Sequence, residues 1–267
     1  VINENIPAGR NIREHKLRNF EDINNLYCLR ELKETKKFER AIGTLGGGNH
    51  FIEIDCDTKG NKYLVIHTGS RKFGNEVYNH HQSVALAQNP YKIKDWSYLT
   101  GDEAKSYLED MQIATKFSQI NRRIIADEIL KKMEWKELES FESIHNYISN
   151  DGIIRKGAIS AMNNEMVLIP LNMADGSLIA AGKGNIDWNN SAPHGAGRLL
   201  SRTQAKDTLT MSEYKQRMKG VHSTCISTGT LDESPMAYKS GEEIIEAIQP
   251  TAEIIDHLKP LYNYKHV

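Results

Sequence analysis

The chain is short of the residues that would place it in several common classes. Its 267 residues include three cysteines, Cys28, Cys56 and Cys225, too widely spaced for a CxxC zinc pair and too few for a disulfide framework. That usage fits a reducing cytoplasm. No apolar run approaches the roughly eighteen residues of a membrane span, and no signal-peptide pattern opens the sequence, so no membrane partner is expected. Charge of either sign is not in excess: 34 Lys and Arg face 35 Asp and Glu, for a net charge of -1. No global basic field draws the chain to nucleic acid, and an RNA partner would require positive charge concentrated locally. A Walker P-loop, a GxGxxG fingerprint after a strand and a helical HExxH zinc site are all missing. The first residue is Val1 rather than Met, which leads us to expect that a longer protein is truncated at its amino terminus here.

With 39% hydrophobic residues the chain can bury a sizeable core, and no repeat or linker interrupts it, so 1–267 reads as a single domain. Residues 17–40 predict a helix or two. The segment FIEIDCDTKGNKYLVIHTGS alternates apolar and polar residues around a Thr58-Lys59-Gly60-Asn61 turn and predicts a β-hairpin running into a Gly-rich loop. Residues 102–133 have apolar positions at helical spacing and predict a long helix. Short strands are expected at 166–170 and 177–181, and helices at 199–206 and 241–258. Strands and helices intermix without regular βαβ spacing, which points to an α+β fold.

Four segments hold most of the chemistry: GTLGGGNHFIEI, VIHTGSRKFG, ESIHNYI and NNSAPHGAGRLLSR. Each sets a histidine in or beside a loop rich in Gly, Ser or Asn, where backbone can approach a ligand closely. Neutral imidazole is a common ligand for divalent transition metals, so His50, His67 and His145 are candidate metal ligands whose convergence would be tertiary. His194-Gly195-Ala196-Gly197 precedes an expected helix, and N–H groups at a helix start attract phosphate oxygens. On that expected helix Arg198 and Arg202 would lie one turn apart and face the same anion; the alternative is that they solvate a surface.

In order and type, GTLGGGNHF, HTGSR, HN and SAPHGAGR resemble the RtcB family of RNA ligases, and the likeness continues through RKGA at Arg155–Ala158, DESPMAYK at Asp232–Lys239 and the terminal PLYNYKHV. The resemblance implies an RtcB-like domain, mixed or antiparallel sheets with flanking helices around a central metal and nucleotide cleft. It implies a GTP- and Mn(II)-dependent ligase in which His194 is guanylated. The guanylate passes to an RNA 3′-phosphate, itself derived from a 2′,3′-cyclic phosphate, and a 5′-hydroxyl end then displaces GMP. Asn49, His50, Phe51, Ile52, Glu53, His145, Asn146, Pro170, Ser177, Gly195, Ala196, Gly197, Tyr238 and Lys265 match nucleotide contacts. His50, His67 and His145 match metal ligands. Arg71, Lys156, Arg198 and Arg202 match positions that take RNA or other anions. An archease-like activator is a further candidate partner.

The sequence also departs from the family. The family's amino-terminal DxxxNCG motif, whose Cys bridges two metals, is absent, and IPLNMADGS stands where the family reads closer to IPGSMGxxS, placing Leu171 and Asn172 where Gly and Ser are usual. Two alternatives to the ligase therefore stay open: a metal-dependent phosphoesterase acting on RNA or nucleotide termini, and a degenerate, non-catalytic relative that binds nucleotides or RNA ends.

Overall fold

A computed structural model describes residues 1–266. The chain divides into two compact units, Val1–Gly46 with His67–Trp135, and Gly47–Ile66 with Lys136–Val267. The class is α+β, as expected: helices dominate the first unit and antiparallel sheets the second.

The first unit contains α1 (Ile2–Asn5), α2 (Thr35–Ala41), α3 (Arg71–Gln88) and α4 (Gly101–Met133). Helix α4 matches the predicted 102–133. Asp102 and Glu103 lie in its first turn and Lys131 and Lys132 in its last, so the charges complement the helix dipole at both ends. It buries Ala114, Phe117, Asn121, Ile125 and Ile129 along one stripe. Helix α3 packs against it, and its own stripe is Phe73, Val77, His81 and Ala85. A histidine and a small residue in that stripe explain why the periodicity did not announce this helix. Phe20, Phe38, Phe73 and Phe117 form the centre of the core, with ring centroids 4.9 to 6.1 Å apart. Each such ring contributes about 1.5–3 kcal/mol by leaving water. Residues 17–40 contain less helix than expected: a 3-10 turn at Glu21–Asn25 and then α2. Fully buried Asn121 fixes the approach to the Gly-rich loop. Its side-chain oxygen accepts the amides of Gly43 and Thr44, and its amide donates to the carbonyls of Thr44 and Gly69.

The second unit is built on β1 (Phe51–Cys56), β2 (Lys62–His67), β3 (His145–Ile148), β4 (Ile154–Ser160), β5 (Met166–Asn172), β6 (Gly176–Gly182), β7 (Ser191–Pro193), β8 (His222–Ser223) and β9 (Ala252–Tyr264). One sheet runs β2-β1-β9-β6-β5 with β8 parallel to β9, and a second runs β3-β4-β7. Ile159, Val167, Ile169, Leu171, Leu178 and Ala180 form the core with Ile244 and Ile248. Leu171, where the family has glycine, belongs to that core. Short helices α5 (Arg202–Thr208), α6 (Met211–Arg217) and α7 (Gly241–Ala247) sit on this frame, and capping boxes open α5 and α6 through Ser201/Gln204 and Thr210/Glu213.

Two expected helices differ. The helix at 199–206 starts only at Arg202, because Ser201 is its cap. The helix at 241–258 stops at Ala247, and the chain returns as β9, the strand on which the large sheet is centred. Pro250 marks the break. Pro260, which would disfavour a central strand, is tolerated opposite Asp55 at a bulge where the β1–β9 register shifts. At the tight β5–β6 turn only glycine fits position 176: its φ is +78°, and a Cβ there would lie 2.1 Å from the Leu258 carbonyl oxygen.

Candidate functional site

The smaller sheet of the second unit brings two of the singled-out histidines together. His145 opens β3 opposite Ile159 of β4, while β4 pairs Ala158 with Pro193 of β7. His194 follows β7 directly, and its ring centroid lies 4.7 Å from that of His145. The His194 Nδ1 lies 2.8 Å from the Gly157 carbonyl oxygen. A carbonyl only accepts, so Nδ1 carries the proton and the neutral ring keeps its lone pair on Nε2. Asn146 tightens the same corner: held at φ 61°, it accepts the Gly157 amide at 3.0 Å. RKGA therefore supplies the backbone that orients His194, a role the motif alone did not reveal.

After His194 the chain runs as an irregular loop rather than straight into a helix. Ala196 donates its amide to the Pro170 carbonyl at 3.0 Å, and a Cβ on Gly195 would meet that carbonyl at 3.1 Å. Gly195 thus has to stay small for the loop to lie along β5. Pro170 stands opposite Ser177, whose buried hydroxyl has no hydrogen-bond partner among the described residues. A buried polar atom of this kind calls for a ligand or solvent.

A cationic cluster surrounds Glu233. Arg202 reaches Asp232 at 2.6 Å and Glu233 at 2.5 Å. Arg198 donates to the Asp232 carbonyl at 2.7 Å and lies over the Tyr238 ring, 5.0 Å from its centroid. Lys265 pairs with Glu233 at 2.9 Å, and the Tyr238 hydroxyl donates to the same carboxylate at 2.7 Å. Burial opposes ionisation of Glu233, but Lys265, Tyr238 and Arg202 outweigh it and hold its carboxyl below the ordinary range. Burial, with the Glu233 charge beside it, pushes the Tyr238 phenol up. Arg198 is not helical and so is not one helical turn from Arg202. The two meet instead because the 198–200 loop and α5 both face the Asp232-Glu233 turn. The sequence reading named the cations and missed Glu233, although it lies within DESPMAYK.

Strand β1 contributes a third group. Phe51 lies under the Lys265 ammonium, 5.5 Å from ring centroid to nitrogen. Glu53 is buried and accepts the Asn263 amide at 2.5 Å. Ile52 turns its side chain fully into the core. His50 immediately precedes the strand, and Gly48 and Asn49 are exposed in the loop before it. A Cβ on Gly48 would lie 3.6 Å from the Arg202 guanidinium, which places the Gly-rich loop beside the cationic cluster.

A family model described as tRNA-splicing ligase RtcB matches residues 12–266. The chain belongs to the RtcB family. It is similar to the RNA-splicing ligase RtcB of Escherichia coli K12, with 30% identity over 246 residues that cover 82% of this chain and 60% of the relative. The RNA-splicing ligase RtcB2 of Escherichia coli ATCC 25922 is 25% identical, covering 86% of this chain and 66% of its own length. The tRNA-splicing ligase RtcB of Nanoarchaeum equitans is 26% identical over 82% of this chain and 58% of its own. The chain thus spans about 60% of the length of the RtcB relatives it matches.

Lys156, Arg71 and His67 also match RtcB positions. Lys156 is exposed on β4. Arg71 and His67 belong to the first unit. The Arg71 guanidinium is engaged there by Thr44 and by the carbonyls of Leu45 and Gly9, and burial lowers its pKa. No helix among the described residues is long and apolar enough to cross a membrane.

Proposed function

We propose that this chain is the catalytic region of an RNA ligase that joins 3′-phosphate or 2′,3′-cyclic phosphate ends to 5′-hydroxyl ends, using GTP and a divalent metal. The observation that carries the reading is the hydrogen bond from His194 Nδ1 to the Gly157 carbonyl, which leaves Nε2 as the nucleophilic nitrogen at the head of the Gly195-Ala196-Gly197 loop. A 2′,3′-cyclic end is first opened by water, which breaks the P–O2′ bond to give the 3′-phosphate and a free 2′-hydroxyl. Nε2 attacks the α-phosphorus of GTP, the bond to pyrophosphate breaks, and pyrophosphate leaves. An RNA 3′-phosphate oxygen then attacks that phosphorus and frees His194. The 5′-hydroxyl of the second strand finally attacks the activated 3′-phosphate, loses its proton and expels GMP.

The residues fit the nucleotide in three respects. The buried Ser177 hydroxyl is without a partner among the described residues, a Cβ at Gly195 would crowd the Pro170 carbonyl, and the resemblance assigns Glu53, buried on β1, to the nucleotide. Arg198, Arg202 and Lys265 supply positive charge for phosphates. The resemblance assigns the metal to His50, His67 and His145. Imidazoles with water accept a divalent transition ion, and manganese follows from the family rather than from the donor set. When bound, the ion neutralises phosphate charge.

The test is covalent labelling with α-phosphate-labelled GTP and Mn(II). An acid-labile, alkali-stable band that disappears in His194→Ala is expected. Release of phosphate from RNA ends with no labelled protein would replace the ligase with the phosphoesterase. Binding of GTP or RNA ends without turnover would identify a non-catalytic relative. Under the ligase reading, an archease-like activator would show as a higher labelling rate on its addition.

A further inference from the structure

Within the first unit, Cys28, His81 and Asp110 bring one thiol, one imidazole and one carboxylate together so that the ligand-bearing atoms lie within 4.8 Å of one another. All three are buried, at 1%, 3% and 0% exposure. They come from three separate stretches: the irregular segment after Glu21–Asn25, helix α3 and helix α4. None is among the residues that match the RtcB metal site.

The surroundings are apolar. Leu26, Phe73, Val77, Ala114 and Phe117 belong to the same core cluster as Cys28. Three polar side chains gathered in such a place cost stability unless each is satisfied. Asp110 is well served, accepting the amides of Tyr27 at 2.8 Å and Cys28 at 3.1 Å. It also takes the Nε2–H of His81 at 2.8 Å. That bond puts the imidazole proton on Nε2 and its lone pair on Nδ1, and the buried Nδ1 has no hydrogen-bond partner among the described residues. The 2.8 Å between Nε2 and the carboxylate makes those two atoms the pair that an ion would join, taking the place of the proton they share. Amides bonded to the carboxylate orient it as an outer shell orients a ligand.

We propose that Cys28, His81 and Asp110 bind one divalent ion of the zinc class, which staples the 20–34 segment to the α3–α4 pair. The donor set of sulfur, nitrogen and oxygen is one that zinc accepts. Binding replaces the Cys28 thiol proton: the S–H bond breaks, the sulfur–metal bond forms and the proton leaves to solvent, while the imidazole proton moves from Nε2 to Nδ1 so that Nε2 binds the ion. The burial of all three groups means that the ion enters as the chain folds. The segment it anchors has little regular structure of its own, only a 3-10 turn followed by turns up to α2, so a cross-link there constrains the chain where hydrogen bonds do not.

The experiment is to express the chain in minimal medium supplemented with Co(II) or with Zn(II), purify it without chelators, and measure metal content and the near-ultraviolet spectrum. The expected result is about one ion per chain that survives His50→Ala and His145→Ala, with a thiolate-to-cobalt absorption band. That band is lost in Cys28→Ser. In His81→Phe the ion is lost while α-helical circular dichroism remains. If wild-type protein grown with Co(II) shows no thiolate band and no ion beyond those removed by His50→Ala and His145→Ala, the staple is wrong and the cluster is a hydrogen-bonded triad. That reading uses wild-type protein and so does not depend on either cysteine or histidine variant folding.

Discussion

Asp55 gives a stability test with a defined sign. It lies on β1 with no exposure, and neither carboxylate oxygen has a hydrogen-bond partner among the described residues. Burial raises its pKa from an ordinary 3.8 to about 7. Glu53, two residues earlier on the same strand, is pushed upward as well, by burial and by the Asp55 charge. A folded-state pKa above the unfolded value means that the folded chain holds the proton more tightly. The stability this contributes is complete below about pH 4 and is lost as pH rises through about 7. At about 1.36 kcal/mol per pKa unit, a rise of roughly three units is worth up to about 4 kcal/mol. Asp55→Asn keeps the shape and removes the titration. Wild type and variant, compared by urea unfolding at a series of pH values from 4 to 8, should have nearly equal stabilities at the acid end. The variant should gain steadily on wild type above it. Glu53 titrates in both proteins, so the difference isolates Asp55 apart from the repulsion between the pair. A difference that stays constant over the whole range would refute the reasoning, because it would mean that Asp55 is ionised without penalty.

Other perturbations have equally definite outcomes. Glu233→Gln leaves Lys265, itself 5% exposed in its side chain, without a counter-charge, and should cost about 3–5 kcal/mol in urea unfolding, as broken buried pairs do. Phe117→Ala opens a cavity among four rings and should cost about 3–5 kcal/mol, with little change in nucleotide affinity if the core alone is affected. Arg198→Ala should weaken binding of an RNA 3′-phosphate by about 1–3 kcal/mol in a titration at low salt; equal affinity would make Arg198 a purely structural partner of Asp232. His194→Ala should abolish labelling by GTP while its thermal unfolding stays close to wild type.

The legibility of this chain varied with how local each signal was. Helix α4 could be read because apolar positions recur at helical spacing over its 33 residues, although Asp110, Ser118 and Asn121 share the buried face. The β1–β2 hairpin could be read because its alternation brackets a Lys-Gly-Asn turn. Helix α3 could not, because its buried stripe includes His81 and Ala85. Strand β9 reads as helix in the sequence because EIIDHL satisfies a helical spacing as readily as a strand one, and its two neighbours in the sheet, β1 and β6, lie far away in sequence. Among site residues, His194 was legible from SAPHGAGR. The Gly157 carbonyl that sets its tautomer was not, since a backbone acceptor has no residue type to recognise. Glu233 was hidden for a related reason: an acid in a segment of mixed charge signals nothing until folding surrounds it with cations.

That surrounding resolves the question posed by a net charge of -1. Four cationic side chains, Arg198, Arg202, Lys206 and Lys265, face two carboxylates, Asp232 and Glu233. Four positive charges against two negative leave the cluster at +2, concentrated beside the Gly-rich loop, so the local field is opposite in sign to that of the chain. The carboxylates do more than dilute that charge. Glu233 accepts from Arg202, Tyr238 and Lys265 at once, which holds long side chains in fixed directions before any anion arrives. Preorganised cations lose less entropy on binding than free ones. A site built this way trades part of its attraction for geometry. That trade predicts that Asp232→Asn raises affinity for inorganic phosphate while lowering the rate of nucleotidyl transfer, because charge is gained and the aim of Arg202 is lost. A variant in which both quantities rise together would show that charge alone, and not its placement, limits the chemistry.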